Sequence, residues 1–330
     1  LDRIFLRLNN NRLTRGVVFV RDASALPDSE PVAWRETTKR SLGKGRYLAR
    51  VFVALEVPVA VLCLMTIFAS LSAEPLTPLL MLVWVVAALM VSVQAASLIA
   101  GERSHQTLDV LATTPLTGRE IIRQKFRAVF RLMLVLTIPL LTIVGFAASM
   151  RWRMPDPRYQ YAPRGYYPPE FQLGVYLVCS LLTLAVYLPL IAWMSFYIGL
   201  RVKTQARAIV GALAAVLAWC IGPLIFIMLP IEILFRPQAN SVFGFLFLTS
   251  PASIIAFNEG NGWREVLEHP WLAMILNFGW YGGCALVFRE LCLRNADRLL
   301  GRVDVHEIDE LVRQRALEVK AAARPELTQV

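Results

Sequence analysis

Six apolar runs constrain this chain more than any other feature. They cover about 51–71, 76–100, 128–149, 171–200, 209–235 and 271–291. Each reaches the roughly 20 residues that an α-helix needs to cross a bilayer. Continuous runs of this kind form helices in lipid, because a helix satisfies its own backbone groups there. The alternation of an outer-membrane barrel is absent from them. Composition agrees: 56% of residues are hydrophobic and 18% charged, against about a quarter charged in soluble domains. The mean hydropathy is +0.53. The expectation is an all-α integral membrane protein of six spans.

Basic residues orient the spans. Of 34 Lys and Arg, 26 fall in 1–50, 101–127, 201–208 and the tail beyond 291. Six fall in 150–170 and 236–270, and Arg131 and Arg289 sit just inside span ends. The positive-inside rule then puts both termini in the cytoplasm. The net charge of +10 reads as inner loops meeting anionic lipid, not as a nucleic-acid surface. The first 50 residues are polar and basic, unlike a cleavable signal peptide. The chain starts at Leu1 rather than Met, which suggests a fragment or a processed chain. "DRLLGR" at 297–302 faintly echoes "DRIFLR" at 2–7. The echo would fit the second half of a tandem protein, or chance.

The chain divides into a cytoplasmic segment 1–50, a membrane domain 51–291 and a cytoplasmic segment 292–330. Within the first, 30–47 carries Pro31 early, apolar Trp34 and Leu42, and five basic residues. It reads as an amphipathic helix on the membrane surface, with a solvated basic linker as the alternative. The tail places Val305, Ile308, Leu311, Val312 and Val319 near one helical face. In the outer loop 151–170, Trp152, Tyr159, Tyr161, Tyr166 and Tyr167 suit the membrane interface. The stretch 241–257 is apolar but broken by Gly244 and Pro251, and reads as short re-entrant outer helices. A seventh, broken span is the alternative.

Chemistry is sparse. No GxxxxGK[ST] loop, HExxH or Ser/His/Asp set occurs, and His105, His269 and His306 lack metal-ligand spacing. An enzyme, a metal or a cofactor is not expected. The cysteines read as small hydrophobes. Intramembrane polar positions are few. Glu56 is one turn inside the first span and near Arg50, which favours a structural ion pair over a functional carboxylate. Glu232 can pair with Arg236. Gln94 and Asn277 read as bridges between helices. Pro58, Pro139, Pro189, Pro223 and Pro230 mark bends. Gly222–Pro223 with Pro230 should kink the fifth span, and a mobile outer gate and ordinary irregular packing fit that equally.

The segment 101–127, "GERSHQTLDVLATTPLTGREIIRQKFR", carries the densest signal. The second span should continue as helix, with Leu108 and Leu111 at helical spacing, until Pro115 stops it. Thr117 and Glu120 then form a capping box, and a new helix runs through Ile121 and Lys125 into the third span. Helix, elbow, helix is the build of a rigid projection.

At these residues the chain resembles the permease subunits of ABC-2 type ABC transporters. Their pattern is close to E-R-x(3–4)-G-T-L-x-x-L-x-x-x-P-L-[ST]-x-x-E-[IL]-x-x-x-K. Glu102, Arg103, Thr107, Leu108, Leu111, Pro115, Leu116, Thr117, Glu120, Ile121 and Lys125 match it, while Gln106 stands where the family usually has Gly. "PVAWRE" at 31–36 is similar to the family's Pro-x-x-Trp-[RK]-Glu. The resemblance covers about 30–300. It implies an exporter permease in the bacterial inner membrane, paired with a second permease unit as homodimer, heterodimer or tandem half. It also implies a separate ABC ATPase subunit docked on the 101–127 loop. A secondary transporter or channel, or a non-transporting scaffold, is the alternative reading.

Overall fold

The computed structural model describes residues 32, 45–68, 76–104, 116–153, 169–223, 225–226, 229–230, 233, 250–259, 270–301 and 313–315. Its elements are all helical: α1 (Gly45–Phe68), α2 (Leu76–Ser104), α3 (Gly118–Arg153), α4 (Pro169–Arg201), α5 (Gln205–Pro223), α6 (Pro251–Glu259), α7 (Pro270–Arg294) and α8 (Ala296–Leu300). Helices α1 to α5 are long and apolar enough to cross a membrane. This is the framework of a multi-pass membrane protein. The sixth expected span coincides with α7, a continuous helix of 25 residues.

Helix α4 is the hub. It packs against α2, α7, α5, α3 and α6, while α1 leans chiefly on α3. The apolar windows of α3 and α4 are 50% and 56% buried, against 17% for α1 and α5. The outer helices therefore turn side chains such as Met65, Phe68, Val210 and Leu217 away from the protein. Apolar faces of this extent suit lipid or a neighbouring chain better than water.

Small residues let the central helices touch. A Cβ on Gly199 of α4 would lie against the Ala96 carbonyl oxygen of α2 and 3.0 Å from its Cα. Fully buried Ser195 sits one turn before Gly199, the small-xxx-small spacing that permits close helix approach. Ala96 and Ala100 of α2 cluster with Ala208 and Ala212 of α5.

Several expectations sharpen. Helix α3 begins ten residues before its apolar run, so elbow and span form one rod of 36 residues. Pro58, Pro139 and Pro189 lie inside α1, α3 and α4. Pro223 is the last described residue of α5, immediately after Gly222, and residues 225–226 beyond it are π-helical. Pro251 does not break a helix but opens α6, the first position where proline costs no hydrogen bond. The nine described residues of α6 are about 14 Å long.

Other expectations fall outside the described residues. These are the surface helix at 30–47 apart from Val32 and the start of α1, Tyr159, Tyr161, Tyr166 and Tyr167, Gly244, and Glu232 with Arg236. The tail helix also does, except for a helical turn at 313–315.

Candidate functional site at the elbow

The ends of α2 and α3 that frame the elbow are built stiffly. Thr117 and Glu120 form the expected box: the Glu120 amide donates to Thr117 Oγ1 and the Thr117 amide to Glu120 Oε2, both at 3.3 Å. The Ile121 amide continues the turn to the Thr117 carbonyl at 3.1 Å. These bonds satisfy amides that would otherwise be orphaned at the start of α3. At the other arm, Ser104 Oγ donates to the Gly101 carbonyl at 2.8 Å. Leu116 packs on the main core. Thr107, Leu108, Leu111 and Pro115 lie outside the described residues.

A buried ion pair joins the two arms. Lys125 Nζ of α3 meets Glu102 Oε1 of α2 at 2.8 Å, with both side chains wholly buried. A buried pair of this kind is held by geometry, since each charge alone would be stranded out of water. These two residues therefore brace the elbow from inside and are not part of its accessible surface. Next to Lys125 in sequence, Phe126 stacks on Trp193 of α4 with centroids 3.7 Å apart, and Phe196 meets both rings edge-on.

Two further segments close on the elbow. The buried Val32 amide donates to Gln124 Oε1 at 3.1 Å. From the C-terminal side, the Leu299 carbonyl accepts from Arg103 Nη2. The Leu293 carbonyl accepts from Arg119 Nε at 3.2 Å, and Asp297 Oδ1 accepts the Gly118 amide at 3.0 Å.

The intramembrane polar candidates do not converge. Glu56 Oε1 accepts from Thr142 Oγ1 of α3 at 2.8 Å, so the hydroxyl of a neighbouring helix holds the carboxyl where a basic partner such as Arg50 was expected. Asn277 Oδ1 of α7 accepts from Tyr187 Oη of α4 at 2.7 Å, the interhelical bridge expected of it. Gln94 is buried, and its Oε1 has no hydrogen bond. Gly222 has open space beside it, and Pro230 falls in a two-residue described fragment.

The opposite end of the bundle holds a polar centre that sequence reading missed. Arg151, at the end of α3, reaches the last residues of α6. Nη1 donates to the Asn258 carbonyl at 3.3 Å. Nη2 donates to the Glu259 carbonyl at 2.7 Å and to its Oε2 at 3.2 Å. The guanidinium lies 3.8 Å from the Tyr176 ring centroid, while Tyr176 Oη donates to Glu259 Oε1 at 2.9 Å. Asn258 Nδ2 donates to Ser180 Oγ at 2.9 Å and to the Tyr176 carbonyl at 3.3 Å. Burial pushes the Glu259 carboxyl above its ordinary range, against the opposing pull of Arg151 and the Tyr176 hydroxyl. Beneath this network a small cavity is lined by Ser180, Thr183, Asn258 and Glu259 on one side and by residues including Trp84 and Leu140 on the other. None of Glu56, Gln94 or Asn277 lines it. The one signal in the sequence was a carboxylate and an Asn ending an otherwise apolar stretch.

Among the described residues, no group of three or more His, Cys, Asp or Glu is placed to hold a metal ion. No family model matches the chain, and no curated protein matches it.

Proposed function

We propose that the chain is the permease unit of an ABC-2 type exporter. In this reading it has six spans, α7 being the sixth, with both termini and the elbow in the cytoplasm. A separate P-loop ATPase docks on 101–127, and a second permease unit completes the path.

The observation that carries the reading is the elbow. The start of α3 is capped, a buried ion pair joins α3 to the end of α2, and Phe126 of α3 is stacked onto the central helix. Such a projection transmits force, whereas a plain connecting loop needs none of these devices. Supporting this, among the described residues Glu56, Gln94 and Asn277 lie apart, with Glu56 and Asn277 each bonded to a different neighbouring helix. An ion-driven transporter would instead gather them around a common site. The outward apolar faces of α1 and α5 suit lipid and a second permease unit.

The test is assembly with a P-loop ATPase. The full chain should co-purify with it and stimulate its hydrolysis, and Leu108→Asp with Leu111→Asp should abolish both without lowering the Tm of the permease. Undiminished stimulation by that variant would refute the docking assignment. Topology is tested separately in a cysteine-free background. A cysteine at Gln160 should react with a membrane-impermeant maleimide from outside, and one at Arg123 should not.

A further inference from the structure

We infer that Asp297 is a positioning residue that caps the first helical turn of α3 from the far end of the chain, so that α7 moves with the elbow. The inference rests on the exporter reading for its functional half and on geometry alone for its structural half.

The geometry consists of three contacts made by one short segment. Leu293, Asp297 and Leu299 each accept a hydrogen bond from a different elbow residue, respectively Arg119, Gly118 and Arg103. Arg103 lies in the last described turn of α2 and Gly118 opens α3, so the segment grips both arms. The Asp297 contact is the most specific. Its carboxylate meets the first amide of a 36-residue helix, where an orphan donor and the positive end of the helix dipole both favour an anion. Thr117, the local cap, serves the Glu120 amide and leaves that of Gly118 to Asp297.

Gly118 is shaped for this contact. A Cβ there would collide with Asp297 Oδ1 and come within 3.0 Å of the Asp297 backbone nitrogen. Any larger residue forces the two segments apart. Because Leu293 lies in the last turn of α7 and Asp297 lies one turn later in α8, displacement of the elbow is carried into α7 through these bonds. On the exporter reading, ATPase closure then drives α3 and α7 together.

Two readouts separate the halves. The first is hydrogen–deuterium exchange of the peptide spanning 116–122 in the full chain. Asp297→Ala should speed exchange on the order of tenfold, and Asp297→Asn, whose Oδ1 still accepts, should restore most of the protection. Gly118→Ala should match Asp297→Ala, and the two together should add little. Unchanged exchange in Asp297→Ala overturns the cap. The second is ATP hydrolysis by the partner P-loop ATPase, with its affinity for the permease measured alongside. Asp297→Ala should cut stimulated turnover several-fold at unchanged affinity, and Asp297→Asn should recover it. Faster exchange with unchanged stimulation overturns the transmission while the cap stands. If the wild-type chain binds no ATPase, the exporter reading and the transmission fall together, and exchange alone decides the cap.

Discussion

Lys125 and Glu102 sit 23 positions apart in sequence, yet they share a contact from which water is excluded. Removing one partner strands the other, at a cost of about 3–5 kcal/mol. Lys125→Met should therefore lower stability by that order in detergent unfolding, and Glu102→Gln in the same chain should recover much of it. Additive losses would show that the two side chains do not depend on each other. Glu259 makes a prediction of opposite kind. Its folded pKa is raised above the ordinary 4.5, so the stability it contributes is complete below that value. It is lost as pH rises through the raised value. The Tm advantage of wild type over Glu259→Gln should then shrink as pH rises above 4.5; an advantage that grows with pH would contradict the burial argument. Legibility at this scale followed range. The Thr117–Glu120 box spans three residues and could be read directly. The resemblance flagged Glu102 and Lys125 but could not show them facing inward. Arg151 with Glu259 and Gly118 with Asp297 are joined only by the folded chain. Glu56 was assigned by proximity in sequence to bases, whereas Thr142, 86 positions away, is the group that reaches it.

At the scale of elements, two devices set the architecture. The first is the close seam between α2 and α4. Gly199→Val would drive a branched side chain into the Ala96 backbone, and overpacking of that kind costs about 1–3 kcal/mol. Thermal unfolding should show a loss in that range, with Gly211→Val, whose nearest neighbour is the flexible Ile198 side chain at 3.4 Å, markedly milder. The second is the length of α3. Apolar periodicity located its buried half, and the capping box located its start. That the two form one helix followed from the absence of a breaker between Gly118 and Pro139. Its far end could not be read, because nothing in the sequence marked α6 as the partner of Arg151. Arg151→Ala should loosen α6, exposing the amides of 251–259 to faster exchange while α2 and α4 keep their protection. Equal protection of α6 in the variant would mean that apolar packing, and not the guanidinium, holds it.

Across the described residues, the braced ends of α2 and α3 and a well-bonded opposite end are joined by α3 and α4, with outer helices turned toward lipid. Apolar run lengths gave the helical membrane architecture, and basic-residue asymmetry gave an orientation. Which helix lies at the centre was not legible, because α1, α2, α4 and α5 are almost equally apolar and only packing ranks them. The account turns on the elbow being a docking lever for a P-loop ATPase. Its most direct test is hydrolysis by that ATPase in proteoliposomes containing the full chain, compared with the Leu111→Asp variant at matched permease Tm. The account predicts stimulated hydrolysis with wild type and loss of both binding and stimulation in the variant. Equal stimulation by the two chains, or none by wild type, would contradict it.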